Sequence, residues 1–377
     1  MKILYCLTAT CNSGGTEKIV IAKANELAKR GHKVVIATTE QNGKPDFFAL
    51  SPAVERVDFD VNYMTPECGT FIRRKYQRQC KKALHKRLLS ELLERCKFDI
   101  VISTFGNEMN FLPTMTDGSK KILEIHTTRD FRIHNRRGGL MGLYDRWLTV
   151  KDGITANRFD AFVCLTNRDA RNWRGVKNLR VIPNPACAVF AVPSPLVAKR
   201  ITAAGRLSRE KGYERMIAAW TLVHQTHPDW RLDIFGSGPL HKELSRLIQL
   251  TGNAETITIH APVADIMAEY RAGSALALTS RYEGLPMVLL EGLSCGLPLV
   301  AFDIDCGPSD LIDDGKNGFL IPDGDIEGFA EAICRLIESE EMRQKMGAAS
   351  LAKAAQFSRD KIIDKWEELF QRVQLES

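Results

Sequence analysis

The sequence has no apolar run long enough to cross a bilayer, and Met1 leads directly into a short strand pattern, so neither a membrane span nor a secretion signal is expected. None of its ten cysteines stands in a Cys-x-x-Cys pair, which argues against a zinc site and for reduced thiols in a cytosol. Internal repeats and low-complexity segments are absent. No Gly-x-Gly-x-x-Gly follows the first strand, and no acidic residue closes the second, so a nicotinamide cofactor is not expected. What remains is a chain of 377 residues, 44% hydrophobic and 26% charged, which describes a soluble globular protein of two domains.

The net charge of +6 hides an asymmetry. Residues 1–187 carry 32 Lys and Arg against 19 Asp and Glu, a balance of +13, while residues 188–377 carry 20 against 27, a balance of −7. An anionic partner is therefore expected for the first half only.

Strand and helix patterns alternate along the chain. Lys2 to Thr8 is an apolar strand, followed by the Gly14–Gly15 pair, a helix from about Lys18 to Arg30 and a second strand from Val34 to Thr38. This is a βαβ opening with a glycine turn at the carboxyl end of its first strand, where open α/β sheets bind ligands. Further buried-type strands are expected at Phe98 to Ser103, Lys121 to Ile125 and Ala161 to Thr166. Residues 186–195, rich in proline, read as a linker, and Ile201 to Ala204 opens the second domain.

From Phe71 to Lys97 the chain is strongly basic, with Ile72, Tyr76, Leu84, Leu88 and Leu92 recurring at about every fourth position. That is the pattern of an amphipathic helix or helix pair. Its cationic face is either simply solvated or lies on an anionic membrane surface. Arg129 to Arg137 reads as a second basic loop.

Two stretches in the second half carry chemistry. Arg206 and Lys211 lie on one glycine-bounded loop, Gly205 to Gly212, which offers a guanidinium and an ammonium to a diphosphate. Arg281 to Val300 follows an apolar strand at Ala275 to Leu278, and Gly284 and Pro286 mark a tight turn, with Pro286 placed as the first residue of a helix. Such a turn leaves several backbone N–H groups at the helix N-terminus unpaired, a ready anion site. Glu283 in the turn and Glu291 in the helix are unsuited to gripping an anion but suit hydroxyl groups on either side of it. Glu291 is assigned to a ribose and Glu283 to the reacting sugar.

A glutamate in a Gly/Pro turn, a second glutamate eight positions on and then Gly296 to Val300 resemble the signature of the retaining glycosyltransferases of family 4. The resemblance covers nearly the whole chain. It implies the GT-B fold: two Rossmann-like α/β domains facing across a cleft, an acceptor-side domain over 1–187 and a nucleotide-sugar domain over 196–357. The helix from about Ser358 to Leu375, within a final segment 358–377, is expected to pack back on the first domain. His126, just past a strand end, matches the histidine the family uses near the donor sugar. Gly15 resembles its first loop, near the diphosphate, and Arg180 to Pro185 its hinge. The segment Leu285, Pro286, Met287 and Val288 joins Arg206 and Lys211 at the diphosphate, and backbone at Val263 meets the base. The resemblance further implies a UDP-sugar as donor substrate, no cofactor, retention of configuration and a lipid-linked or oligosaccharide acceptor in cell-surface polysaccharide synthesis. It also implies a cytoplasmic enzyme peripheral to the inner face of the plasma membrane.

Two Asp-x-Asp strings, Asp58 to Asp60 and Asp303 to Asp305, read as structural, because Arg206 and Lys211 already supply the countercharge a metal would bring. The rival readings are a nucleotide-sugar epimerase of the same fold and a non-catalytic sugar-nucleotide-binding partner subunit. A nucleic-acid binder using the basic helix is disfavoured, since both acidic and both basic positions of the sugar-nucleotide pattern are present.

Overall fold

In the computed structural model, residues 1–65, 69–134, 139–186 and 192–376 are described. The chain forms two compact units, the first comprising Met1–Leu165, Ala170–Ile182 and Ile363–Ser377, the second Thr166–Asp169 and Pro183–Ile362.

The first unit holds seven strands: β1 (Lys2–Leu7), β2 (Lys33–Thr38), β3 (Val54–Asp58), β4 (Ile100–Ser103), β5 (Lys120–Glu124), β6 (Ala161–Cys164) and β7 (Leu179–Val181). They run parallel in the order β3-β2-β1-β4-β5-β6-β7, with Ile3 opposite Val34 on one side and Ile100 on the other. Its helices are α1 (Gly15–Lys29), α2 (Phe71–Cys96), α3 (Phe131–His134) and α4 (Gly139–Ala156), followed by α5 (Asn167–Asn172), which straddles the two units. The central strands are buried on both faces, as a parallel sheet covered by helices requires.

The second unit holds six parallel strands, β8 (Arg200–Ala204), β9 (Arg231–Phe235), β10 (Ile257–His260), β11 (Ala275–Leu278), β12 (Leu299–Asp303) and β13 (Gly318–Pro322). Their order is β10-β9-β8-β11-β12-β13. Helices α6 (Tyr213–Thr226), α7 (His241–Leu250), α8 (Ile266–Arg271), α9 (Met287–Ser294), α10 (Pro308–Leu311), α11 (Ile326–Glu338) and α12 (Glu340–Ala354) complete it. Trp220, Ile217, Leu232, Phe302 and Phe329 lie at the centre of its core.

The last helix, α13 (Arg359–Leu375), belongs through most of its length to the first unit. Arg30 pairs with Asp364 and with Glu367 at 2.7 Å, and the Lys23 ammonium lies 4.2 Å over the Trp366 ring.

Several local expectations change. Helix α1 begins at Gly15 rather than Lys18, because extended Gly14 caps it and the Lys18 N–H donates to the Gly14 carbonyl at 3.1 Å. Pro286 caps α9 rather than opening it. Helix α2 is one continuous helix of 26 residues, and Ile72 and Tyr76 point to solvent while His85, Leu89, Leu92 and Leu93 form its buried side. The Arg129–Arg137 stretch contains the short helix α3, and its part from 135 on lies outside the described residues, as do 187–191 of the expected linker.

Candidate functional site

In an open parallel sheet, ligands bind beyond the carboxyl ends of the strands where the strand order reverses. In the second unit that reversal lies between β8 and β11. The loop after β8 carries Arg206 and Lys211, and the loop after β11 carries Glu283. The Lys211 ammonium donates to Glu283 Oε1 at 2.6 Å, and the Ser280 hydroxyl donates to the same oxygen at 2.6 Å. Arg206 is exposed and, among the described residues, makes no ion pair. One basic position is thus held by a carboxylate while the other is open.

Three close backbone approaches hold these loops together. Gly212, at φ +62°, lets Lys211 and Gly212 meet the end of β11, where a Cβ would stand 2.4 Å from the Thr279 carbonyl oxygen. The Thr279 hydroxyl donates to the Gly212 carbonyl at 2.9 Å. Gly236 brings the turn after β9 onto the Gly205 carbonyl, with 1.9 Å left for a Cβ. Gly307, at φ +98°, packs against Pro286 and the Gly284 carbonyl and so braces the turn before α9 from the side of β12. Only glycine fits such positions without displacing backbone.

At the start of α9 the N–H groups of Leu289 and Leu290 return to the Pro286 carbonyl. Among the described residues, the N–H groups of Leu285, Met287 and Val288 receive no acceptor, and Pro286 has none to offer. This is a helix N-terminus open to an anion beside Lys211 and Glu283. Glu291, one turn into the helix, is 6% exposed, and the buried Tyr270 hydroxyl donates to its Oε2 at 3.4 Å. Burial first, and then the Glu291 charge, push the Tyr270 hydroxyl well above the usual range, so it stays a donor. Tyr213, beneath the loop, is raised likewise by burial and by Glu283. Val263 is exposed in the loop after β10.

In the first unit the strand order reverses between β1 and β4. Gly14 and Gly15 lie in the loop after β1, and an added Cβ at Gly15 would meet no atom within 4 Å. His126 follows β5, one strand further along the sheet. Its Nε2 lies 3.2 Å from Glu124 Oε1, close enough for an ion pair, and among the described residues neither buried ring nitrogen makes a hydrogen bond. Beneath it, Glu124 forms a buried ion pair with Lys23, whose ammonium donates to Oε2 at 2.6 Å. Burial works to raise the Glu124 carboxyl, but the charges of Lys23 and then His126 outweigh it and hold it at about 2. Burial lowers the Lys23 ammonium from its ordinary value, and the Glu124 charge and hydrogen bond oppose that shift.

The structure thus gathers Arg206, Lys211, Glu283, Glu291 and the 285–288 segment in the second unit, and Gly15 and His126 in the first. Ser280, Tyr270, Lys23 and Glu124 were not anticipated. Ser280 directly precedes the recognised turn, and Glu124 lies two residues before His126, so their nearness was available. Tyr270 and Lys23 lie 21 and 101 residues from the partners they contact, and no local signal marks them. Of the aspartate strings, Asp303 pairs with Arg168 and Asp58 accepts from the Thr38 hydroxyl at 3.0 Å.

Comparison with known proteins bears on both units. Residues 13–186 match the family model described as Glycosyltransferase Family 4, and residues 190–352 match Glycosyl transferases group 1. The chain is 30% identical to an exopolysaccharide phosphotransferase of Streptomyces coelicolor over 98% of its own length, but spans only 40% of that protein. It is 28% identical to an uncharacterized glycosyltransferase of Haemophilus influenzae, over 97% of this chain and 98% of that one. A crystal structure of Staphylococcus aureus TarM, in complex with fondaparinux, alpha-GlcNAc-glycerol and UDP, superposes with a TM-score of 0.81 at 15% identity, covering 98% of this chain and 99% of that one. That superposition makes the fold GT-B.

Proposed function

We propose that this chain, which belongs to the glycosyltransferases of family 4, moves a hexosyl or N-acetylhexosaminyl unit from a UDP-sugar to a saccharide acceptor in cell-surface polysaccharide synthesis. The observation that carries the reading is the cluster at the reversal of the second sheet: an open Arg206, a Lys211–Glu283 pair and free N–H groups at one helix start. Cations and N–H dipoles take the diphosphate, and the carboxylates of Glu283 and Glu291 take the hydroxyls of the sugar and the ribose. UDP as the carrier is supported by the UDP bound to TarM, whose fold this chain shares.

Arg206, Lys211 and the N–H groups of Leu285, Met287 and Val288 stabilise the charge that grows on the leaving diphosphate, which is what a divalent cation would otherwise do. Transfer then proceeds without a metal. The acceptor hydroxyl attacks the anomeric carbon on the face the diphosphate leaves, its proton passes to a departing phosphate oxygen, and the configuration is retained. Glu283 accepts from sugar hydroxyls, and His126, whose ring nitrogens make no hydrogen bond among the described residues, is available to a sugar hydroxyl. Gly15 leaves its backbone open to approach by the diphosphate, and the backbone at Val263 meets the base. A lipid-linked acceptor places the enzyme at the inner face of the plasma membrane; among the described residues no helix is long and apolar enough to cross one.

A panel of nucleotide sugars tested for thermal stabilisation checks the reading, since a donor that binds only the folded state raises the melting temperature. A UDP-sugar is expected to stabilise and to be slowly hydrolysed without acceptor. If no nucleotide sugar stabilises the protein, the reading fails, and isomerisation of a donor supplied alone would instead mark an epimerase.

A further inference from the structure

Helix α4 turns its polar side inward. Asp145, Thr149, Asp152 and Thr155 are buried, and Asp152 pairs with Arg132. Leu140, Leu143, Tyr144, Trp147, Val150 and Ile154 are each more than half exposed. At 100° per residue these six fall in one arc of about 120°, opposite the buried aspartates, along a helix of 18 residues and about 27 Å. A stripe of this size on a helix of a soluble fold marks a surface that something apolar covers.

The charges around the stripe decide what covers it. Both carboxylates of α4 are buried, and its exposed charges are the cations Arg146 and Lys151. Leu89, Leu92 and Leu93 of α2 and Ala156 at the end of α4 join one apolar cluster of the first unit. Residues 71–90 of α2 contain no acidic side chain at all, while Arg73, Arg74, Lys75 and Arg78 are exposed. The Tyr144 and Trp147 rings stack at 5.7 Å, and Lys151 reaches over Trp147 at 5.5 Å. Apolar bodies with polar tips, flanked by Arg146 and crossed by a Lys151 long enough to carry its ammonium out to the surface, match the boundary between acyl chains and anionic headgroups. A second copy docked on the same patch would bring like charges together, which disfavours self-association.

We propose that α4 is a membrane-docking helix, lying in the plane of an anionic bilayer with its apolar stripe among the acyl chains and its cations, with those of α2, at the headgroups. Its use rests on the transferase reading, since a lipid-linked acceptor is met at that surface; its physics does not.

Trp147 reports the event directly. It is 55% exposed, whereas Trp173, Trp220, Trp230 and Trp366 are all buried, so a change in tryptophan emission on lipid binding comes from α4. With full-length protein and vesicles of phosphatidylcholine and phosphatidylglycerol, emission shifts to shorter wavelength, acyl-brominated lipid quenches it, and both effects weaken with salt. Leu143→Glu, at an exposed position, lowers the fraction sedimenting with vesicles by about tenfold or more while leaving the melting temperature and UDP stabilisation intact. Unchanged emission with anionic vesicles overturns the proposal. So does a concentration-dependent dimer that Leu143→Glu dissociates in protein that ignores vesicles, which identifies the stripe as a protein interface. Vesicle binding by protein that no nucleotide sugar stabilises leaves the docking helix standing and removes the transferase reading.

Discussion

Arg206 and Lys211 differ in their surroundings, and that difference separates binding from folding. Arg206 is exposed and lacks an ion pair among the described residues, so Arg206→Ala should change stability by no more than about 0.5 kcal/mol. Lys211 sits 2.6 Å from a Glu283 carboxylate whose side chain is 12% exposed. Lys211→Met leaves that carboxylate with the Ser280 hydroxyl and no cation. Stranding a largely buried charged group costs about 1–3 kcal/mol, so this variant should melt earlier. Both should bind UDP more weakly. Truncating one partner of an enclosed charge pair costs on the order of 2–5 kcal/mol, and the exposed Arg206 belongs at the lower end. At 1.4 kcal/mol per factor of ten, a loss of about 2 kcal/mol is roughly thirtyfold in Kd. Calorimetric titration of UDP into the two variants, alongside chemical denaturation, measures both quantities. Unchanged UDP affinity in Arg206→Ala would refute the assignment of this loop to the diphosphate. Lys211→Met as stable as the parent would show that the Glu283 pair contributes nothing to folding.

Glu291→Gln should mainly raise KM for the donor, since a ribose contact is made equally in ground and transition states, whereas Glu283→Gln should mainly lower kcat; each change is worth about 1.5–3 kcal/mol. Steady-state kinetics decides, and an intact kcat in Glu283→Gln removes that residue from the sugar. Gly15→Ala finds open space for its methyl group, so the melting temperature should not move; if the diphosphate approaches the Gly15 backbone, UDP affinity alone falls, and equal affinity would place the diphosphate elsewhere. His85 is held neutral by burial, which pulls it down to about 4 from an ordinary 6.5. A depressed histidine contributes stability that is fully present above pH 6.5 and lost as pH falls towards 4, in total about 3 kcal/mol. Denaturation of the parent and of His85→Leu across that window should give a shallower slope for the variant, and identical slopes would contradict the burial argument.

The strand and turn framework was legible because parallel strands buried on both faces read as short apolar runs, and because the glycines at 205, 212 and 284 punctuate the loops that follow them. The Arg206, Lys211 and Glu283 constellation could be found for the same reason: each residue lies within a few positions of a strand end. Helix faces were harder. Periodicity shows that a helix has two sides but not which one turns inward. Ile72 and Tyr76 look like core positions and are exposed, and in α4 aspartates are buried beneath an apolar surface. Lys23 is similar: on α1 it reads as a solvent-facing lysine, and only the fold brings Glu124 and Trp366 to it from distant parts of the chain.

The return of α13 to the first unit sets an order of events during synthesis. Domains generally fold as the ribosome delivers them, the leading one first. Here the segment Pro183–Ile362 is continuous and can close its sheet while the ribosome still holds the tail. The leading unit cannot finish then, because Trp366, Asp364 and Glu367 are made after the whole of that segment, and Lys23 and Arg30 wait for them. Its completion therefore comes after that of the second unit. A nascent chain stalled before Ile363 would carry a finished second unit beside a first unit with an uncovered flank, the kind of surface that chaperones hold and proteases find.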